Sequence, residues 1–519
     1  MKIVDEMPEQ SKYYYLWHLV SLGVISCDSQ GINVSDTLWD RINEKGKQLP
    51  STVVLIDVGC SFSHPNLIGR VDADRSIDFT GTPFGARLVR GDQERVSDKA
   101  QYFADLDISG ISLEELSARD NALFQEIVRY LIASRGEARG HGDVEGLFAS
   151  HGTAVSGLIV GGPEICNDSE KQPTPGVLPY FGVDPFSRLV SVRTGFDNDP
   201  LQFVAALLYA WAQSPDVIVL PRGLPDPDAS AISPKEDFKA ELESWSNHEA
   251  ADLLHRIDVL SENTSEIDTA SAQHSITGQR LWRVVRSLFI AISKHIPIVC
   301  AAGNDGESQL NYPASLANRE NGIIAVGALS ANGYRAGYSN YGEGLTLVAP
   351  SDDMEVFNRH QLRGTKSQLK KSDYLMPVDA QQISYSQKAL LSTDIAGAFG
   401  YDTGGLSADD HWNGADKTEK VGLYTQFGGT SGACALVGGV IALIRRAERS
   451  SATHGTLRDS CDIKGLLAST ARRTMPTMQG DISLKTDSMN SDGEEAETFE
   501  NFFGSGLVDA EAAISQILG

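Results

Sequence analysis

Ser431 stands at the start of a segment whose composition suits a nucleophile. Residues 428–430 before it are Gly-Gly-Thr, and residues 432–444 after it are small or apolar on every face, which is typical of a buried helix. The paired glycines permit a sharp turn. Unpaired N–H groups and the helix dipole at the amino end of a helix favour developing negative charge. The pattern predicts a reactive serine, although a serine or threonine here also serves as a simple helix cap.

His151 is the histidine best placed to act as the base that a serine hydroxyl requires. It precedes residues 152–160, a second run of small and apolar residues. His141 is a weaker candidate, because the acidic residues that follow it do not continue into a buried helix. A lone histidine is also compatible with a hydrogen-bonded structural role, so the prediction depends on its partners.

Asp57 and Asn304 complete the set of candidates. Asp57 directly follows the apolar residues 53–56, and a carboxylate that ends a buried strand is costly unless it is paired. Such an aspartate could hold the ring of a histidine base, or it could serve as a turn residue. Asn304 follows residues 299–303, and its amide could stabilise an oxyanion. The alternative for Asn304 is a turn residue within Gly-Asn-Asp-Gly.

The elements that must position these residues are short apolar strands that alternate with helical patterns. The strand candidates are residues 53–56, 189–192, 217–220, 296–300 and 323–326, and the helical patterns are residues 201–212 and 280–294. Continuous apolar runs of this length favour strands that are buried on both faces. Alternation with helices predicts an α/β fold with a parallel sheet, in which functional groups gather at the carboxyl ends of the strands.

Three polar stretches interrupt this alternation. They are residues of about 81–148, 225–280 and 351–425. Because loops accept added length at low cost, we interpret them as surface insertions in a single domain over residues 1–519.

Composition limits the possible partners and the cellular location. The formal net charge of −25 repels nucleic acid and anionic membranes, so we expect neither as a partner. No stretch reaches the length of apolar residues that a membrane span requires, and residues 1–12 are net acidic, unlike a secretory signal. None of the six cysteines forms a Cys-x-x-Cys pair, so zinc ligation has no support, and we expect no metal and no cofactor. Six cysteines would permit three disulfides, but Cys60, Cys300 and Cys434 lie in apolar segments of a large chain, so we expect reduced thiols. A cytoplasmic protein is the resulting expectation.

The candidates occur in the order Asp57, His151, Asn304, Ser431, and the chain order Asp–His–Ser is that of subtilisin. The sequence around them resembles the subtilisin-like serine proteases, or subtilases. The resemblance is carried by residues 54–59, 64–67, 150–157, 301–304, 312–314, 324–328, 338–342, 348–350, 429–431, 466–471 and 504–510. It implies a three-layer α/β sandwich with a mainly parallel sheet of about seven strands flanked by helices.

The resemblance also implies an activity and a role for each residue. The family hydrolyses peptide bonds through an acyl-enzyme. Ser431 would attack the carbonyl, His151 would transfer the proton, and Asp57 would orient His151. The side chain of Asn304 and the N–H of Ser431 would stabilise the oxyanion. The implied partner is a polypeptide substrate.

Two further segments are implied to bind the substrate. They are Leu220, Pro221, Arg222 and Gly223, together with Ala301, Ala302 and Gly303. Pro221 has no N–H to donate. Arg222 could favour an acidic substrate residue through its permanent charge, or it could simply point to solvent.

Departures from the family pattern leave alternatives open. Val58 stands where the family usually has Ser or Thr, and residues 432–436 differ from the usual sequence after the serine. A catalytically silent protein that binds a peptide or a partner is therefore the main alternative, and a hydrolase of non-peptide acyl groups is a third. With few residues before Asp57, we expect control by the insertions, by a regulatory protein partner or by a restricted substrate, rather than by an amino-terminal inhibitory segment.

Overall fold

The structure is a computed structural model of the chain. It describes residues 13–28, 31–46, 49–80, 86–89, 101–140, 149–165, 176–195, 199–228, 270–352, 390–397, 399–402, 422–451, 457–486 and 498–519. The α-helices of these segments are α1 (Trp17–Ser21), α2 (Leu38–Lys45), α3 (Ala118–Ala133), α4 (Ser150–Val160), α5 (Pro200–Ala212), α6 (Ala270–Ser293), α7 (Gly429–Ser450), α8 (Ser460–Thr470), α9 (Phe499–Phe503) and α10 (Ala510–Leu518). Short 3₁₀-helices cover Tyr14–Leu16 and Ala314–Leu316.

The strands form one large sheet and three two-stranded pairs. They are β1 (Ile25–Asp28), β2 (Gly31–Thr37), β3 (Thr52–Asp57), β4 (Ile77–Asp78), β5 (Ala86–Val89), β6 (Glu137–Gly140), β7 (Arg188–Arg193), β8 (Val217–Leu220), β9 (Ile298–Ala301), β10 (Ile323–Leu329), β11 (Leu347–Pro350), β12 (Leu390–Thr393), β13 (Tyr424–Phe427), β14 (Thr474–Met475) and β15 (Ile482–Ser483). The pairs are β1 with β2, β12 with β13, and β14 with β15, all antiparallel.

The large sheet has the order β11-β10-β9-β8-β3-β7-β4-β5-β6. Every neighbouring pair from β11 to β4 is parallel. Strand β5 then joins β4 in antiparallel orientation, and β6 pairs with β5 in parallel. The predicted α/β fold with seven parallel strands flanked by helices is therefore confirmed, and the stretch 81–148 extends this sheet by two strands.

Helix α7 is the central helix of the fold. It packs against β8, β9, β10 and β11, and against α4. By length and composition it is the one helix among the described residues that is long and apolar enough to cross a membrane, but its apolar window is 100% buried inside the protein. The expectation that no segment reaches that length was therefore wrong. The apolar surface of α7 reflects burial on all sides, as expected for a core helix.

Two of the predicted surface insertions contribute to the core. In α3, Leu123, Phe124 and Ile127 are buried, and Asp120 forms an ion pair of 2.7 Å with Arg280 of α6. Strand β12 is buried along its whole length and packs on α4. The surface interpretation is wrong for these parts, because α3 turns its buried apolar residues to the core and all four residues of β12 are buried. Most of the stretch 225–280 lies outside the described residues.

The thiols agree with the expectation of reduced cysteines. Cys27, Cys60, Cys300, Cys434 and Cys461 are free, and Cys166 lies outside the described residues. Burial raises the pKa of the Cys300 thiol to about 12, so this thiol stays protonated and unreactive at neutral pH.

His18 of α1 gives the fold a dependence on pH. Its side chain is fully buried, and burial lowers the pKa of its imidazole to about 3, because the interior disfavours the charged ring. In the unfolded chain the ring titrates near pH ~6.5. The unfolded state therefore takes up the proton first as the pH falls. The folded protein is most stable above that pH, and acidification from there to about pH 3 destabilises it by about 1.4 kcal/mol for each pH unit.

We expect His18→Leu to reduce this acid sensitivity. Urea unfolding at pH 7, 6 and 5 measures the free energy of unfolding, and the variant should lose less stability than wild type over this range. His295→Leu is the matched control, because His295 is exposed. Equal losses in wild type and His18→Leu would contradict the assignment of this effect to His18.

Candidate active site

Asp57 and His151 meet where β3 ends and α4 begins. Asp57 is the last residue of β3 and is 1% exposed. The Nδ1 atom of His151, in the first turn of α4, lies 2.8 Å from Asp57 Oδ2 and 3.0 Å from Oδ1. The side chain of His151 is 19% exposed, so its ring is held from one side and reaches the surface on the other. With Nδ1–H donating to the carboxylate, Nε2 is left as the basic nitrogen.

Gly152 allows α4 to approach Asp57 this closely. A Cβ atom at residue 152 would lie 1.9 Å from the carbonyl oxygen of Gly59 and 3.5 Å from Asp57 Cβ. The nearer contact is a buried backbone carbonyl, which has little room to move. The absence of a side chain at residue 152 therefore sets the distance between the helix of His151 and the strand of Asp57.

We expect Gly152→Ala to damage the site. The added methyl group pushes α4 away from the loop after Asp57, which costs about 1–3 kcal/mol of stability and separates His151 from its carboxylate. Thermal unfolding and peptide hydrolysis measure the two effects. Gly465→Ala is the matched control in helix α8, because a Cβ there meets nothing within 4 Å. Wild-type stability and activity in Gly152→Ala would show that the close approach has no functional importance.

The turn before Ser431 is held by hydrogen bonds with Tyr338, which precedes β11, and with Ser351, which follows β11. Gly429 has a φ of 74°, a conformation that favours glycine. Its N–H donates to the hydroxyl of Tyr338 at 2.9 Å, and its carbonyl accepts from Ser351 Oγ at 2.8 Å. Ser431 then lies in the first turn of α7 and is 8% exposed. The turn thus fixes Ser431 at the amino end of a buried helix, as predicted.

The hydroxyl of Ser431 donates to the carbonyl oxygen of Pro221 at 2.8 Å. Among the described residues, neither Ser431 Oγ nor any other group hydrogen-bonds His151 Nε2. Transfer of the hydroxyl proton to His151 would require Ser431 Oγ to leave Pro221 first. Catalytic hydrogen bonds of this kind often form only when a substrate is bound.

Asn304 is oriented by Thr430. The amide oxygen Oδ1 of Asn304 accepts from the N–H of Thr430 at 2.8 Å and from its hydroxyl at 2.9 Å. With Oδ1 occupied, the amide nitrogen Nδ2 is the group left to donate, and it has no partner among the described residues. The N–H of Ser431 also has no hydrogen-bond partner among the described residues. The N–H groups of its neighbours Gly429, Thr430 and Gly432 each donate to a partner. Two unused donors beside the hydroxyl form a suitable oxyanion hole.

Val58 supports Asp57 through its backbone. The N–H of Val58 donates to Asp57 Oδ1 at 2.7 Å, and the side chain of Val58 is buried. The carboxylate therefore receives a hydrogen bond at this position without the hydroxyl that Ser or Thr would supply.

Both predicted substrate segments contact the start of α7, because Ser431 Oγ donates to the carbonyl of Pro221 and the N–H of Gly303 donates to Thr430 Oγ1 at 3.2 Å. Leu220 and Pro221 are buried, whereas Gly223 is exposed. The carbonyl of Ala302 accepts from Asn311 N at 2.8 Å, and that of Gly303 accepts from Asn340 N at 3.0 Å. Because these carbonyls already accept hydrogen bonds within the protein, the second segment, Ala301 to Gly303, would border a bound substrate without pairing with it as a β-strand.

Arg222 is held within the protein. Its Nη1 atom donates to the carbonyl of Gly195 at 2.8 Å, and its guanidinium lies 5.5 Å from the ring centroid of Phe203. The preference for an acidic substrate residue stays a prediction. Asn311, which the sequence reasoning did not single out, lies close to both segments, because Cβ atoms built at Gly223 and Gly303 would meet its side chain at 3.8 and 2.6 Å.

Other residues of the site were also missed from the sequence. Thr430, Tyr338 and Ser351 position the groups above. The motifs that contain Thr430 and Tyr338 were recognised without this role, and Ser351 was not singled out. Phe427 packs its ring against His151 at 5.3 Å between centroids. No sequence signal marks that contact, because it depends on how β13 folds back beside α4. The described residues contain no cluster of three or more His, Cys, Asp or Glu side chains that could hold a metal ion.

A carboxylate, an imidazole, a serine hydroxyl and two free N–H donors at the carboxyl edge of a parallel sheet define a serine hydrolase type of site. Residues 51–506 match the model of the subtilase family. The chain therefore belongs to the subtilase family, and the resemblance found in its motifs is confirmed.

Individual relatives match only short stretches of the chain. Subtilisin BL of Lederbergia lenta is 43% identical over 65 residues, which are 12% of this chain and 23% of that protein. A cell wall-associated protease of Bacillus subtilis (strain 168) is 42% identical over 60 residues, 12% of this chain and 6% of its own. The crystal structure of a lanthipeptide protease aligns with 99% of this chain and 97% of its own, at 14% identity and a TM-score of 0.46.

Proposed function

We propose that the protein is a serine endopeptidase that uses Asp57, His151 and Ser431 as its catalytic triad and Asn304 in its oxyanion hole. The observation that carries the proposal is the pair of unused donors, Asn304 Nδ2 and Ser431 N–H, beside a serine at a helix start, next to a histidine held by a buried carboxylate. Membership of the subtilase family supports the same activity.

The reaction follows from these contacts. The Ser431 hydroxyl leaves the carbonyl of Pro221, gives its proton to His151 Nε2 and attacks the peptide carbonyl. Asp57 accepts from Nδ1–H and stabilises the imidazolium. Negative charge develops on the former carbonyl oxygen, where Asn304 Nδ2 and the Ser431 N–H donate to it. His151 then protonates the leaving amine, and water hydrolyses the acyl-enzyme by the same route in reverse.

A silent protein that binds a peptide is the second candidate. The observation that favours it is the hydroxyl of Ser431, which is bonded to Pro221 and not to His151. This contact leaves in place every group that the proposed reaction needs, namely the Ser431 hydroxyl, the His151 ring and the Asp57 carboxylate. We therefore place the active enzyme first.

Cleavage of an unfolded protein decides between the two candidates. The purified chain is incubated with a denatured protein, and mass spectrometry detects new peptide ends. We expect new ends with wild type and none with Ser431→Ala. Ser450→Ala is the matched control, since Ser450 is a buried serine at the other end of the same helix. Peptide binding by wild type without new ends would favour the silent protein.

A cytoplasmic location and control by a regulatory protein partner or a dedicated substrate belong to this proposal. The five free cysteines among the described residues support the location. Fractionation of the producing cells tests it, and recovery of the protein mainly outside the cytoplasm would contradict it. Among the solved structures similar to this chain is a serine protease of Aeromonas sobria in complex with a chaperone. Purification of this protein from the cells that produce it tests whether a regulatory protein partner is bound to it.

A further inference from the structure

A row of three charged residues crosses the large sheet at the active site. Strand β7 lies between β3 and β4, and the register pairs Arg193 of β7 with Asp57 on one side and with Asp78 on the other. Each of the three is the last residue of its strand. Partners in register on neighbouring parallel strands project to the same face of the sheet, about 5 Å apart along the backbone. The carboxylate of Asp57 therefore has a guanidinium beside it and a second carboxylate beyond.

The protein interior surrounds this row of charges. Asp57 and Asp78 are buried, and the side chain of Arg193 is 12% exposed. Charges in such a place interact more strongly than charges in water, because little water lies between them to screen the interaction. The positive charge of Arg193 therefore acts on both carboxylates.

Asp78 holds the guanidinium from the side away from Asp57. Its Oδ2 atom accepts from Arg193 Nη1 at 3.3 Å. Its Oδ1 atom accepts from the N–H of Thr80 at 2.7 Å and from the hydroxyl of Thr80 at 2.6 Å. The backbone joins the other two members of the row, because Thr194 N donates to the carbonyl of Asp57 at 2.8 Å. The positions of all three charges are thus fixed by the fold.

The stem of Arg193 packs against the loop that follows Asp57. A Cβ atom built at Gly59 would lie 3.0 Å from Arg193 Cδ and 3.4 Å from Arg193 Nε. The carbonyl oxygen of Gly59 is also the atom that a Cβ at Gly152, in the helix of His151, would meet first. Arg193 and the helix of His151 therefore contact the same loop residue.

Other elements packed on the helix of His151 bring two further titratable groups. Helix α7 contributes the thiol of Cys434, and burial raises the pKa of this thiol well above its usual value, so the thiol stays neutral. Asp394 follows β12, and burial raises the pKa of its carboxyl to about 6. Strands β3 and β7 contribute Asp57 and Arg193. Arg193 is thus the cation that the sheet places next to Asp57.

A cation at this place favours the basic form of the histidine. His151 has to be neutral at Nε2 to take the proton of Ser431. A positive charge near the ring disfavours the imidazolium, and a negative charge favours it. Arg193 therefore opposes protonation of His151, whereas Asp57 and Asp78 promote it.

We propose that Arg193, anchored by Asp78, is a positioning residue of the active site that holds the loop after Asp57 and extends the activity of the enzyme to lower pH. This inference rests on the proposed peptidase function and adds a charged pair to its site. The pair acts through Asp57 and His151 and not on the substrate.

The pH dependence of kcat/KM for peptide hydrolysis tests the pair. Activity falls on the acid side as His151 takes up a proton. The midpoint of this fall does not depend on how much of a variant is folded, so it reports the charge near the ring and not the stability of the chain. Asp394 is unchanged in every variant, so its titration cancels when a variant is compared with wild type.

Arg193→Met removes the cation and keeps an apolar stem, so the midpoint should rise by about 0.5–1 pH unit. Asp78→Asn removes the charge that offsets Arg193, so the midpoint should fall by about 0.3–0.5 pH unit. Arg193→Lys keeps the cation and should leave the midpoint close to that of wild type. A variant that only loosens the loop would not give shifts in opposite directions.

Arg449→Met is the matched control. Arg449 forms an ion pair with Asp216, and Asp216 accepts from the N–H of Thr52 at 2.8 Å, at the opposite end of β3 from Asp57. This variant also breaks an ion pair beside the same strand, but far from His151, so the midpoint should stay at the wild-type value.

The outcomes separate this inference from the peptidase function. Unchanged midpoints in Arg193→Met and Asp78→Asn, or shifts in the same direction, would overturn the inference and leave the peptidase function intact. If Arg193→Met does not fold, the direction of the shift in Asp78→Asn decides alone. A folded wild type that hydrolyses no peptide at any pH would remove both proposals together.

Discussion

Ser431→Ala lowers the rate of peptide hydrolysis by about 10⁴-fold or more in this account, and His151→Ala does the same. The serine forms the bond to the substrate, and the histidine is the group that removes the serine proton. Because the two act in one step, the double variant should be no slower than either single variant beyond about threefold. Initial rates with one peptide substrate measure all three.

The control for this prediction is a histidine with both ring nitrogens in use. His64 accepts from Asn66 N at 3.1 Å through Nδ1 and bonds the carbonyl of Leu423 at 2.8 Å through Nε2. His64 is buried. We therefore expect His64→Gln to lower the free energy of unfolding and to change the hydrolysis rate of the folded enzyme only slightly. A rate loss in the double variant equal to the product of the two single losses would contradict the triad. A hydrolysis rate in His151→Ala near that of wild type would contradict it as well.

Asn304→Ala carries the second largest expected effect. It removes the side-chain donor of the oxyanion hole, which lowers kcat by about 10²–10³-fold and leaves KM nearly unchanged, because the donor acts on charge that develops only in the transition state. Steady-state kinetics measure both constants. A rise in KM with unchanged kcat would show that Asn304 binds the substrate and does not stabilise the oxyanion.

Thr430→Val refines this test. The variant removes the hydroxyl bond of 2.9 Å to Asn304 Oδ1 and keeps the N–H bond of 2.8 Å, so the amide is held less firmly and kcat should fall by an intermediate factor. Asn318→Ala is the control, because Asn318 is an exposed asparagine that lies outside the site. Equal kcat in Thr430→Val and wild type would show that Thr430 does not orient the amide.

The sequence predicted the parts of the fold and site that depend on local pattern. Continuous apolar runs identified strands such as β3 and β10, and the small-residue run after Ser431 identified the buried helix α7. Asp57, His151 and Asn304 were singled out because each stands at or near the end or start of such an element, and their catalytic roles stay a prediction. The sheet then brings these ends to one edge, as parallel strands do.

The parts that were not predicted depend on contacts between distant segments. The polarity of residues 81–148 concealed the buried face of α3, whose apolar residues recur at helical spacing among charged ones. The antiparallel pairing of β12 with β13 joins residues on either side of a long polar stretch, and local pattern does not show which segments pair. The contact between Phe427 of β13 and His151 follows from that pairing, so it was visible only in the structure.

Reaction with a fluorophosphonate probe tests the central claim most directly, because the probe bonds only to a serine that is activated by its neighbours. The purified full chain is labelled, and mass spectrometry locates the adduct. We expect one adduct on Ser431, which is lost in Ser431→Ala and strongly reduced in His151→Ala. An adduct on another residue, labelling that survives Ser431→Ala, or a folded wild type that does not react would contradict it.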